Sequence, residues 1–332
     1  MTTPAVSVPD AHSQLRANPL TRLGKSASRR ARELWAWWTC KTPQTPSVAQ
    51  ITKSIAALSS LEAPSISAVP DSDAPIFLFS TGMRTGSTLL QRILLTDSHL
   101  LLWGEPMGEM NITSRIAQMV ADGMSPAFMA SWQRQPALDS PELIRSWTAL
   151  LHPSTDNFRL ALRNFFDTWL GCPARKNRFS RWGFKAVRLD AADAVLLHWL
   201  YPGAKFILIA RHPFDCYRSF ADAGWENPNF TRYPHMPVNS AAGFAREWNR
   251  IAVSWSDLPP DFPALQIKYE DLTSGRFDFR RLESWLGLKL NENVALADKV
   301  GRTAFRARLH AYERWIVSRE AARGMRLLGY SK

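Results

Sequence analysis

Residues 77–95 read FLFSTGMRTGSTLLQRILL. An apolar run bounded by Pro75 ends in a glycine-bearing turn, and an amphipathic stretch follows. This is the pattern of a buried strand, a tight turn and a helix. The first N–H groups of a helix have no partner inside it, and the helix dipole adds about half a positive charge there. Phosphate or sulfate is the natural ligand of such a corner. Arg84 adds a planar fork suited to a tetrahedral oxyanion, while Thr85, Ser87 and Thr88 add hydroxyls. Turn 82–88, built on Gly82 and Gly86, is one residue shorter than the nucleoside-triphosphate loop. Ser87 stands where that loop carries lysine. With no such lysine and no evident Mg2+ carboxylate, ATP phosphoryl transfer is disfavoured.

A second segment, IARHPFDCYRSF over 209–220, has related features. Arg211 falls just past the most strand-like run of the chain, KFILIA at 205–210. Pro213 suits the first turn of a helix, and Ser219 lies on that helix. Ligands of open α/β sheets sit at the carboxyl ends of strands, so Arg211 and Ser219 can hold a second phosphate. Taken alone, the segment reads better as an arginine paired with Asp215 beside a solvated serine.

The remaining pattern is α/β from residue 75 onward. Strands are expected at 76–80, 100–103, 182–187, 205–210 and 264–269. Helices are expected at 86–96, 191–201 with Asp190 as N-cap, 213–223, 241–257, 277–286 and 303–328. Residues 110–170 read mainly as helices, with breaks near Pro136 and at His152-Pro153. Residues 224–240 form a long loop of the kind that covers sites, carrying Trp225, Phe230, Tyr233 and His235. Alternating strands and helices predict one P-loop-like domain over 75–332. Its mainly parallel central sheet is flanked by helices, with a helical insertion.

Residues 1–74 are rich in Pro, Ser, Ala and Thr and are expected to be a partly disordered N-terminal extension. Within them, residues 23–41 place Arg29, Arg30 and Arg32 before Trp35, Trp37 and Trp38. Docking of these tryptophans on the main domain is the expectation, and peripheral contact with an anionic membrane is the alternative.

The chain has 332 residues and a net charge of +12, which suits a polyanionic small ligand as well as nucleic acid or anionic lipid. No Cys–His spacing or recognition module supports nucleic acid. Cys40, Cys172 and Cys216 make a sparse, odd set, giving no disulfide framework. With no apolar leader and no run of 18 apolar residues, a cytoplasmic protein is expected.

Taken together, the two anion-binding segments resemble the PAPS-dependent sulfotransferase family. Its 5′-phosphosulfate loop commonly reads Pro-Arg-Ser-Gly-Thr-Thr; here Met83-Arg84-Thr85-Gly86-Ser87-Thr88 departs by Met for Pro and by hydroxyl exchanges. Its 3′-phosphate motif, an arginine followed eight residues later by serine, is matched by Arg211 and Ser219. Lys268-Tyr269-Glu270-Asp271-Leu272 and Trp285-Leu286-Gly287-Leu288 resemble two later segments, in the right order.

The resemblance implies a donor, PAPS, bound without a metal, and a hydroxyl-bearing acceptor. It assigns Arg84, Thr85, Gly86, Ser87, Thr88, Arg211, Ser219 and Tyr269 to the donor. Glu105, after the 100–103 run, is the expected general base, in apolar surroundings near Trp103, and His99 is the fallback. Lys185 is expected at the departing phosphate, with Arg188 as a substitute. Related enzymes that act on acidic peptides follow their glutamate with arginines. Met107, Gly108, Glu109 and Met110 follow here, so a small-molecule, lipid or glycan acceptor is expected. A P-loop kinase and a non-catalytic binding protein at a membrane remain as rival readings.

Overall fold

The computed structural model describes residues 29–31, 34–35, 37–38, 45–60, 73–122, 139–145, 153–222, 233, 238–293 and 308–331. Five strands are present: β1 Ile76–Ser80, β2 Leu100–Trp103, β3 Arg181–Ala186, β4 Lys205–Ala210 and β5 Ala264–Lys268. They form one sheet in the order β2-β3-β1-β4-β5, and every pairing is parallel. The helices used below are α1 Val48–Ser59, α2 Ser87–Leu94, α3 Ile112–Asp122, α4 Thr155–Phe166, α5 Ala191–Leu200, α6 Pro213–Asp222, α7 Ala241–Ser254, α8 Phe279–Leu286 and α9 Ala311–Glu320.

β1 lies at the centre of the sheet and is buried along its whole length. Its alternating side chains serve two cores. Phe77 and Phe79 face one side, packing with Trp182, Phe184, Phe206 and residues of α5. Ile76 and Leu78 face the other, with Leu90, Ile93 and Leu94 of α2 and Leu282 and Leu286 of α8. The helix after β1 and the helix after β3 therefore cover opposite faces, although the two strands are neighbours. Such a divergence opens a crevice at the carboxyl ends of the strands.

Asp190 caps α5 as expected, in a reciprocal box with Asp193. The helix expected over 303–328 is divided. α9 ends at Glu320, and a short helix Ala322–Leu327 follows, where the Gly324 N–H turns to Asn249 Oδ1 at 2.7 Å. Residues 303–307, Pro136, Trp225, Phe230 and His235 lie outside the described residues.

The N-terminal stretch contributes more than the expected extension. Ser47 and Gln50 form a capping box that starts α1, and Ile51 and Leu58 are buried in the main core. Residues 48–59 thus share the core of the α/β domain. The expected docking of the Arg–Trp segment is seen at Trp37. Its indole donates to Glu320 Oε1 at 2.6 Å, and its carbonyl accepts from Arg246 at 2.8 Å. Arg29 pairs with Glu313, while Trp35 and Trp38 remain exposed. Among the described residues, no helix is long and apolar enough to cross a membrane.

Gly183 sits in β3 between β1 and β2, and a Cβ there would lie 1.8 Å from the Ile76 carbonyl oxygen. A strand backbone cannot yield that far without moving its neighbours. Gly183→Ala is expected to cost about 3 kcal/mol. Urea unfolding checks this; an unchanged midpoint would show that the sheet accommodates the methyl group.

Candidate active site

The anion loop begins where β1 ends. Gly82, Arg84 and Gly86 adopt φ of 131°, 65° and 88°. A left-handed arginine is unfavourable, and the surrounding structure fixes this one. Ser80 Oγ and Thr85 Oγ1 both donate to the Gly82 carbonyl, at 2.8 and 3.2 Å, and so hold the turn from inside. Thr85 is fully buried, so its hydroxyl shapes the loop, whereas Arg84 and Thr88 are exposed. Gly86 precedes α2 with no side-chain cap, which leaves the helix start to backbone N–H groups. Ser87 is buried at the first helical position. The hydroxyl of Thr81, just before the loop, is buried with no hydrogen-bond partner.

The second segment meets this loop directly. Arg84 Nε donates to Ser219 Oγ on α6 at 2.9 Å. Arg211 Nη1 donates to the Arg84 carbonyl at 3.1 Å. The Arg211 guanidinium lies 4.4 Å over the ring of Tyr269, and the same ring fills the space beside Gly86. Five of the expected donor residues are thus in mutual contact. The expectation for Asp215 as an alternative partner of Arg211 is not met; Asp215 faces Arg218 at 3.7 Å.

Sequence reasoning missed the residues that orient Arg211. Glu270 accepts from the His212 N–H at 2.9 Å through one oxygen and from the Tyr330 hydroxyl at 2.9 Å through the other. The Trp248 indole donates to the Arg211 carbonyl at 3.2 Å. His212 Nε2 reaches the Ser331 carbonyl at 3.0 Å. Glu270 stood in a quoted motif beside Tyr269, and that adjacency was the available signal.

Glu105 lies just beyond the carboxyl end of β2. Lys185 Nζ donates to its Oε1 at 2.7 Å, and Arg188 Nη1 to its Oε2 at 2.5 Å. Both cations are buried, and Glu105 is partly open. Two cations therefore clamp Glu105 within partly apolar surroundings that include Phe166, Trp169 and Leu170, and the Trp103 indole donates to the Leu170 carbonyl at 3.0 Å. Lys185 and Arg188 each hold one oxygen of the same carboxylate. His99 precedes β2, at the opposite end of the sheet. It is exposed beside Asp97 and does not join the cluster.

Tyr233 links the two groups. Its ring lies 5.2 Å from the Arg188 guanidinium, and its hydroxyl donates to the Val187 carbonyl at 3.4 Å. The hydroxyl also accepts from the Met83 backbone, and burial pushes its pKa upward, so it stays protonated. Of the aromatic residues expected in loop 224–240, this is the one whose position is described.

The family model described as "Sulfotransferase family" matches residues 75–292, more than half of the chain. The chain belongs to the sulfotransferase family. A search of curated proteins returned no match. Among solved structures, the chain is similar to the sulfotransferase domain of the Synechococcus PCC 7002 olefin synthase, at 18% identity and a TM-score of 0.38. That match covers 78% of this chain and 98% of that one. It is also similar to a sulfotransferase from Alicyclobacillus acidocaldarius, at 14% identity and a TM-score of 0.40, over 78% and 97% of the two chains. A sulfotransferase domain from the curacin biosynthetic pathway matches at 17% identity and a TM-score of 0.40, over 80% and 99%. At these identities and scores the likenesses do not bear on donor or acceptor.

In this sulfotransferase, a Cβ at position 86 would lie 2.2 Å from the Tyr269 ring. Gly86→Ala and Tyr269→Ala are therefore expected to be coupled. In a double-mutant cycle, the double variant should be more stable than additivity predicts by about 1 kcal/mol or more. Additive effects would mean that the ring does not press on the loop.

Proposed function

We propose that the protein transfers a sulfuryl group from PAPS to the hydroxyl of a small-molecule, lipid or glycan acceptor, with Glu105 as general base. The observation that carries this reading is the contact of Arg84 with both Ser219 and Arg211, at the same sheet end as the Glu105–Lys185–Arg188 cluster. Two anion-holding elements in contact suit a ligand with two phosphate-type groups. The uncapped start of α2 and the unpartnered Thr81 hydroxyl offer hydrogen bonds to one of them.

Sulfuryl transfer needs an in-line attack by the acceptor oxygen on sulfur, removal of the acceptor proton, and stabilisation of charge on the departing phosphate. The bond from acceptor oxygen to sulfur forms as the bond from sulfur to the bridging oxygen breaks. The proton passes to the Glu105 carboxylate. Once protonated, Glu105 no longer neutralises Lys185 and Arg188, and their charge becomes available to the bisphosphate product. Proton uptake and leaving-group stabilisation are then one event. Tyr233, seated on Arg188 and the Met83 backbone, ties the two groups together.

Calorimetry with adenosine 3′,5′-bisphosphate tests the donor. Arg84→Ala and Arg211→Ala should each weaken its binding by about ten- to a hundredfold. Indifference of both variants, or tighter binding of ATP–Mg2+, would favour a kinase instead. Glu105→Gln should bind the bisphosphate at least as tightly, because Lys185 and Arg188 are then unneutralised, and lower kcat by about 10²- to 10⁴-fold. Full turnover in that variant would remove Glu105 from the base role.

A further inference from the structure

Residues 29–31, 34–35 and 37–38 are helical, and the docking of this segment sorts its tryptophans. Trp37 turns inward. Besides its bonds to Glu320 and Arg246, its ring meets Trp315 of α9 edge to face at 5.6 Å. The Arg319 guanidinium lies 5.6 and 5.5 Å from these two rings. Arg29 supplies a second anchor. Glu313 Oε1 accepts from it at 2.8 Å and from the Tyr217 hydroxyl of α6 at 3.1 Å. The segment is thereby held to α7 and α9 and, through Glu313, joined to α6.

That arrangement leaves Trp35 and Trp38 71% and 80% exposed. Positions 34, 35 and 38 are three and four apart, so on a helix they share one face. Leu34 is exposed as well, and Trp315, next to Trp37, is half-exposed. Large apolar side chains clustered in water and rimmed by polar groups mark an interaction surface. Here the rim is cationic. Arg30, Arg314 and Arg319 are exposed, while the carboxylates that anchor the segment, Glu313 and Glu320, are already paired with Arg29 and Arg246. Indoles settle at the boundary between lipid headgroups and acyl chains, and guanidiniums attract anionic headgroups. Leu34 suits acyl chains and gives a polynucleotide base nothing to stack on.

We propose that this face rests on an anionic lipid surface, with Trp35 and Trp38 at the headgroup level and the arginines on the lipid phosphates. Docking through Trp37 and contact with a membrane are then one arrangement, in which the inward indole presents the outward pair. The inference concerns where the protein sits and stands independently of the donor and acceptor readings.

Flotation of the full chain with lipid vesicles tests it. Binding to phosphatidylcholine vesicles containing about one third phosphatidylglycerol should be at least about tenfold tighter than binding to phosphatidylcholine alone, and should weaken as salt rises. A net charge of +12 by itself draws the chain to anionic vesicles, so the tryptophans decide the outcome. The double variant Trp35→Ser, Trp38→Ser keeps that charge and should bind the anionic vesicles about tenfold more weakly. Brominated acyl chains should quench the fluorescence of the native protein more than that of the variant. Both residues are exposed, so the thermal midpoint of the variant should not move. If it falls, Arg30→Glu takes its place and should weaken binding to the anionic vesicles by about tenfold. Unchanged vesicle binding in the double variant, equal binding to both kinds of vesicle, or binding to neither would overturn the inference. So would a native chain that ignores vesicles but self-associates through these tryptophans, since the face would then belong to a second copy.

Discussion

The carbonyl of Arg84 is where two distant parts of the chain become one site. It accepts from Arg211, while the guanidinium of the same residue reaches Ser219. Both contacts require the left-handed backbone at Arg84, which the turn imposes through Gly82, Ser80 and Thr85. A helical or extended conformation at this position would turn the carbonyl elsewhere and separate the loop from α6. The conformational cost of the turn is thus offset across β1 and β4, whose pairing brings the two segments side by side.

The second cluster follows the same logic in a different register. β2, β3 and β1 run parallel, so residues at and just past their carboxyl ends gather at one end of the sheet. Glu105 comes from the first, Lys185 and Arg188 from the second, and the anion loop from the third. Two buried cations without a carboxylate would be strongly unfavourable, so the three charges hold one another in place. Their arrangement is a property of strand order, not of any short motif.

That distinction explains how much was legible in the sequence. Strand–turn–helix corners are local, so β1, β4 and the starts of the following helices were readable from residue pattern. The pairing of the two anion segments was readable because both follow strand ends and because the family resemblance joined them. The double clamp on Glu105 was not, since its partners lie 80 and 83 residues away and apolar Trp103 stood nearer in the chain. α1 was missed for the opposite reason. Its capping box was local and visible, but the Pro- and Ser-rich composition around it outweighed the signal. His99 failed as a candidate base on direction alone, because a residue before a parallel strand emerges at the wrong end.

Glu270 joins the Arg211 turn to Tyr330, and the neighbouring Lys268 reaches the Gly329 carbonyl at 3.1 Å while lying 4.9 Å from the Tyr330 ring. Residues 329–331 are therefore a keystone for the Arg211 side of the crevice. Displacing these three residues would slacken the Arg211 turn from outside.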